Sequence, residues 1–157
     1  VGDWVDRRES DGVLGSKMNA ALHEVRQVYA DLAARPIERN CVRLKECCHF
    51  KLTGRTPYLT KGEALVAARA LRATGRTRLP ANPSNACPLL DAATGNCLIY
   101  ESRPFGCRTH FCAAAGGPYS RRQVLDLIRR LETVDESLGG NGPRVLQNAI
   151  ADALAEL

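Results

Sequence analysis

The residues best suited to chemistry in this 157-residue chain are its seven cysteines. They fall into two groups. One lies within Cys41-Val42-Arg43-Leu44-Lys45-Glu46-Cys47-Cys48-His49. The other comprises Cys87-Pro88, Gly95-Asn96-Cys97 and Cys107-Arg108-Thr109-His110-Phe111-Cys112. An odd number of cysteines cannot all pair as disulfides. Clustered thiols in a reducing cytoplasm usually hold metal as thiolates, and that is the expectation here, with structural disulfides or inert buried thiols as the alternatives. Thiolate sulfurs must approach a zinc ion to about 2.3 Å, which demands tight backbone bends. Pro, Gly and Asn stand beside Cys87, Cys97 and Cys107 and permit such bends. The spacing Cys87-x9-Cys97-x9-Cys107 is too wide for simple C-x2-C knuckles. Cys47 and Cys48 are adjacent, so in extended chain their side chains point apart; one would bind metal while the other faces the core or a second ion. The three histidines, His23, His49 and His110, are scattered, and no H-E-x-x-H pattern is present. Cys107-x2-His110 is a chelate spacing, although a lone loop histidine is more often a surface residue. No catalytic constellation is visible.

These cysteines need elements to carry them. Residues 1–15 are polar and aperiodic and read as an N-terminal arm. A first helix is expected from Ser16 as N-cap to just before Pro36, with Met18, Leu22, Val25, Tyr29 and Leu32 as its apolar stripe. A second begins at the capping box Thr60–Glu63, and Ala64 to Leu71 is apolar almost all round. Gly75 should stop it. Residues 76–118 are rich in Pro, Asn and Gly and carry four of the cysteines, with Cys97-Leu98-Ile99-Tyr100 a candidate short strand. A third helix opens with the capping box Ser120–Gln123 and shows the stripe Val124, Leu127, Ile128, Leu131, Val134. After Gly139-Gly140-Asn141-Gly142, Pro143 suits the first turn of a fourth, whose apolar face is Val145, Leu146, Ala149, Ile150, Ala153 and Leu154. The expected fold is mainly α. It is a small helical domain over 1–157 with an irregular cysteine-rich metal-binding segment between helices two and three, and a C-terminal helical pair over 119–157.

Composition agrees with a globular chain: 45% hydrophobic and 25% charged residues exclude collagen-like or wholly disordered classes. No apolar run approaches the roughly 18 residues of a membrane span. Aromatic residues are only 5%, so a metal would compensate for a thin core. The net charge of +5 is uneven: residues 35–78 hold eleven Lys or Arg against three Glu. Such a segment suits an anionic partner such as nucleic acid, but no aromatic residues interleave with the arginines to stack on bases. A solvated basic face beside anionic metal thiolates is the plainer reading.

Two motifs go further. C-x2-C-x2-C-C is approximated by Cys41, Leu44, Cys47 and Cys48. C-P-x-L followed by G-x-C-x-I-Y-x-x-R-P-x-x-C-R is matched by Cys87-Pro88-Leu89-Leu90 and by Gly95 through Arg108, including Ile99, Tyr100, Arg103 and Pro104. Leu59-Thr60 ahead of Glu63 also fits. On these residues, roughly 41–112, the chain resembles the YkgJ-type cysteine-cluster family (CxxCxxCC), described as zinc- or iron-chelating domains. The resemblance implies metal ligands at Cys47, Cys48, Cys87, Cys97 and Cys107 foremost, with Cys41 and Cys112 behind them. Leu44 stands where the family has a cysteine and cannot ligate, so that position is dispensable or Cys112, His49 or His110 replaces it. Arg103 and Arg108 would either donate hydrogen bonds to sulfur or pair with a carboxylate such as Glu101 or Asp91. Tyr100 would pack against the site.

The expected function is therefore metal chelation, zinc first, with a structural, storage or transfer role. Family members labelled iron–sulfur oxidoreductases or flagellin lysine methylases make an iron–sulfur redox protein the alternative. The chain shows no Gly-rich nucleotide loop and no C-x3-C-x2-C triplet for S-adenosylmethionine chemistry. A zinc-dependent nucleic-acid module is the third reading.

Overall fold

Leu22, Val25, Tyr29 and Leu32 recur at helical spacing, and all four are buried on the first helix, joined by Ala21 and Val28. In the computed structural model, which describes residues 3–36, 39, 48, 54–81 and 86–157 (side chains of 3–11 and Ala114 excepted), this helix is α1, Asp3–Ala33. It begins well before the expected Ser16, so the arm is helical. Periodicity missed it because residues 1–15 are polar and show no apolar stripe, and Val13 and Leu14 are 69% and 66% exposed.

The Thr60–Glu63 capping box forms as expected and starts α2, Lys61–Ala73. Gly62, Glu63, Ala64, Leu65, Val66, Ala67, Ala68 and Leu71 are all buried, as an all-round apolar helix requires. Gly62 marks the closest approach: a Cβ there would lie 2.7 Å from Val134 Cγ1 and 2.9 Å from Val25 Cγ2. Helix α3 is the short Phe105–Thr109. The Ser120–Gln123 box opens α4, Arg121–Ser137, whose Val124, Leu127, Leu131 and Val134 face the core. The last helix, α5, is Leu146–Glu156. Pro143 is not in its first turn. Arg144–Val145 instead form a strand, β2, paired antiparallel with β1, Tyr58–Leu59. The expected strand at 97–100 is also absent: Cys97 makes one isolated bridge to Leu90, and Tyr100–Ser102 form a 3₁₀ turn.

Helices α1, α2, α4 and α5 pack around one apolar cluster, with α2 touching the other three. Ion pairs tie α1 to α4 along the surface. Arg130 reaches Glu24 at 2.6 Å and Asp31 at 2.5 Å, and Arg35 pairs with Asp126. Buried Asp135 accepts from Lys61 N at 2.7 Å and from Gly142 N at 2.9 Å, fixing the glycine loop to the start of α2. Gly140 must be glycine to pass it, since a Cβ would come within 2.3 Å of Asp135 Oδ1. The chain is mainly helical, with the described cysteines other than Cys48 in the 87–112 segment between α2 and α4. Among the described residues, no helix is long and apolar enough to cross a membrane.

Candidate metal centre

The two cysteine groups meet through the backbone. Cys87 N donates to Cys48 O at 2.6 Å, which brings half-buried Cys48 against buried Cys87. From Cys87 the chain turns back on itself. Asp91 N donates to Asn96 O at 2.8 Å, Gly95 N to Asp91 O at 2.7 Å, and Leu98 N to Leu89 O at 2.8 Å. Gly95 sits at φ 65°, the left-handed conformation that this tight reversal requires and that glycine adopts without strain. Asp91 closes the turn by accepting from Ala93 N at 2.9 Å, and that bond holds its carboxyl below the usual range. Cys97 is thereby folded back toward Cys87, across a gap of nine residues in sequence.

Cys107 arrives on α3. Its position is set by two stacked arginines. Arg103 lies 3.8 Å over the Tyr100 ring and donates from Nε to Tyr100 O at 2.9 Å. Arg108 donates from Nε to Arg103 O at 2.7 Å and from Nη2 to Glu101 O at 2.6 Å, while its guanidinium sits 4.2 Å over the Tyr29 ring. These are backbone carbonyls and aromatic faces. Neither the sulfur bond nor the carboxylate pairing expected for the two arginines is among their described contacts; they brace the 3₁₀ turn against α3.

Cys48, Cys87, Cys97 and Cys107 line a single cavity of about 640 Å³. Tyr100 and His110 also line it. Cys112 is half-buried at the start of the 3₁₀ turn Ala113–Ala115 and does not line the cavity. Cys41, Cys47 and His49 lie outside the described residues, and His23 is exposed on α1. Among the described residues, no three His, Cys, Asp or Glu side chains converge closely enough to hold an ion. The donor chemistry does fit one: soft thiols predominate, with one imidazole beside them. Arg55, not anticipated from sequence, also lines the cavity, with Nη1 3.4 Å from His110 Nδ1. Burial, and then the Arg55 charge, lower the His110 pKa and favour the neutral ring that a metal ligand requires.

Beneath the cavity lies a polar cluster that the sequence hinted at only in part. Glu63 is 3% exposed. Its Oε2 accepts from Thr60 N at 3.0 Å and Thr60 Oγ1 at 2.8 Å, completing the cap, while Oε1 accepts from Phe105 N at 2.8 Å. Burial pushes its pKa up against these hydrogen bonds, which favour the charged form. The Tyr29 hydroxyl is buried beside it, without a partner of good hydrogen-bond geometry among the described residues. Burial, and then the Glu63 charge, raise the Tyr29 pKa well above its ordinary value. A carboxylate heading an otherwise apolar helix was the visible hint; its contact 42 residues away was not.

A family model, CxxCxxCC, described as a zinc- or iron-chelating domain, matches residues 39–127. The chain belongs to this family. No curated protein and no solved structure matches the chain. The CxxCxxCC match extends beyond the motifs at 41–112 to take in the first part of α4. Both capping boxes therefore fall inside it.

Proposed function

We propose that this CxxCxxCC chain chelates a zinc ion through Cys48, Cys87, Cys97 and Cys107, in a structural, storage or transfer role. The observation that carries the reading is the shared cavity: cysteines far apart in sequence line one space. Cys47 adjoins Cys48 in sequence and is a further candidate ligand, with Cys41, seven residues before Cys48, and Cys112 behind it. Bound zinc would supply a cross-link between segments that bury few apolar side chains of their own. Four thiolates complete a tetrahedral site and leave no open position for a reacting water, which favours a carrier or structural role over hydrolysis. A reducing cytoplasm would keep the thiols available.

The test is metal analysis with an absorption spectrum on protein purified without oxygen. About one zinc per chain and no visible band supports the reading, a single closed site being the stoichiometry expected for structural zinc. Iron with acid-labile sulfide and a broad band near about 400 nm, as thiolate-ligated clusters give, would replace it with an iron–sulfur protein.

A further inference from the structure

We propose that Glu63 is a positioning residue for Cys107, holding that thiolate in place through the start of α3. This rests on the metal reading above. Helix α3 is only five residues long, and no side chain of its own caps it: Pro104 is the N-cap. Short helices leave their first N–H groups unsatisfied and are marginal alone. Glu63 supplies the missing acceptor from α2, through Oε1 to Phe105 N at 2.8 Å. Cys107 follows two residues later, and its own N–H donates to Pro104 O at 3.0 Å.

The other carboxylate oxygen is held by Thr60 N and Thr60 Oγ1, so the carboxylate cannot swing away without opening the cap of α2. Full burial of Glu63 among apolar neighbours removes water as a competing partner. Arg108, also on α3, is clamped to Arg103 O and Glu101 O and stacked on Tyr29. Cys107 is thus held between two fixed points. Cys87 is tied through its N–H to Cys48 O, and Cys97 lies on the turn closed by the Leu98 N to Leu89 O bond; neither bond runs through Glu63. Cys107 is therefore the cysteine whose carrier helix Glu63 holds directly.

The experiment is N-ethylmaleimide labelling of the zinc-loaded full chain, with rates read at each cysteine by mass spectrometry. Wild type is compared with Glu63→Gln and Thr60→Ala. Glu63→Gln is isosteric and weakens the charged acceptor, so Cys107 should label about tenfold faster, the size expected for one hydrogen bond to a charged group. Cys87 and Cys97 should keep their wild-type rates. Thr60→Ala removes the Thr60 Oγ1 bond but keeps the bonds from Thr60 N and Phe105 N that fix the carboxylate, and should leave Cys107 protected. An unchanged Cys107 rate in Glu63→Gln, or equal acceleration at all three cysteines, overturns the proposal; the latter is what mere loss of stability would give.

If Glu63→Gln does not fold, amide exchange in the wild type decides, because coupling between the tether and the metal is reciprocal. Zinc must then slow the Phe105 amide more than the Gln123 amide of the distant α4 cap. Equal slowing overturns the proposal. A wild type that binds no metal would instead sink the metal reading itself.

Discussion

The four long helices and the cysteine segment solve the same problem by different means. Helices α1, α2, α4 and α5 bury whole apolar stripes against one another, and Leu22, Val25, Leu65 and Ile150 are fully enclosed. The segment from Ala86 to Ala115 buries far less: Leu89, Ile99, Pro104 and Phe105 are its large enclosed side chains. Turn hydrogen bonds, two arginines on backbone carbonyls and one tether from Glu63 hold it instead. Hydrophobic burial tolerates local loosening because many contacts share the load. A site held by a few directional bonds does not, and a bound metal would make it cooperative.

The largest effect should come from removing that metal. Chelation of the zinc-loaded chain, or Cys97→Ser, should release exchange protection across 86–118 while α1, α2 and α4 keep theirs. Structural zinc contributes on the order of 10 kcal/mol in small zinc-dependent folds. Hydrogen exchange with mass spectrometry would show it; uniform loss over the whole chain would mean that the two regions fold as one.

Leu65→Ala attacks the other side. Leu65 is fully buried in α2, and its truncation should cost about 2–5 kcal/mol. The thermal midpoint should fall, while the folded fraction keeps wild-type metal stoichiometry. Lost stoichiometry at full folding would erase the distinction between the regions.

Asp135→Ala removes a buried acceptor from Lys61 N and Gly142 N. Leaving those donors unmatched should cost about 1–3 kcal/mol. Denaturant melts would record this as a scaffold defect, with cysteine labelling unchanged.

The smallest effect lies on the α1–α4 surface. Arg130→Ala should cost no more than about 1 kcal/mol, the usual range for partly exposed ion pairs. Its sign with pH is definite. The Arg130 bond holds Asp31 below its ordinary 3.8, and the Arg35 bond does the same for Asp126. Their stabilisation is present above the unfolded value and is lost as pH falls through the lowered folded one. Thermal midpoints from pH 7 to pH 2 should therefore fall less steeply in Arg130→Ala than in wild type, and added salt should narrow the difference.

Local patterns made much of this legible. The stripes of α1 and α4, both capping boxes and the stop near Gly75 follow from interactions within a few residues, which sequence spacing records directly. The cysteine count and the two motifs likewise pointed to metal before any fold was known. What sequence by itself determined was thus the helical class and the family, with its zinc- or iron-chelating description.

Tertiary structure decided which parts meet. The helical start at Asp3 and the Arg144–Val145 strand escaped the pattern, one because residues 1–15 carry no apolar stripe and the other because strand pairing is non-local. The meeting of Cys48 with Cys87, and the reach of Glu63 to Phe105, join residues dozens of positions apart. Spacing along a chain encodes only neighbours on the same element. Contacts between elements depend on how their buried faces dock, and that is where this cavity acquired its walls.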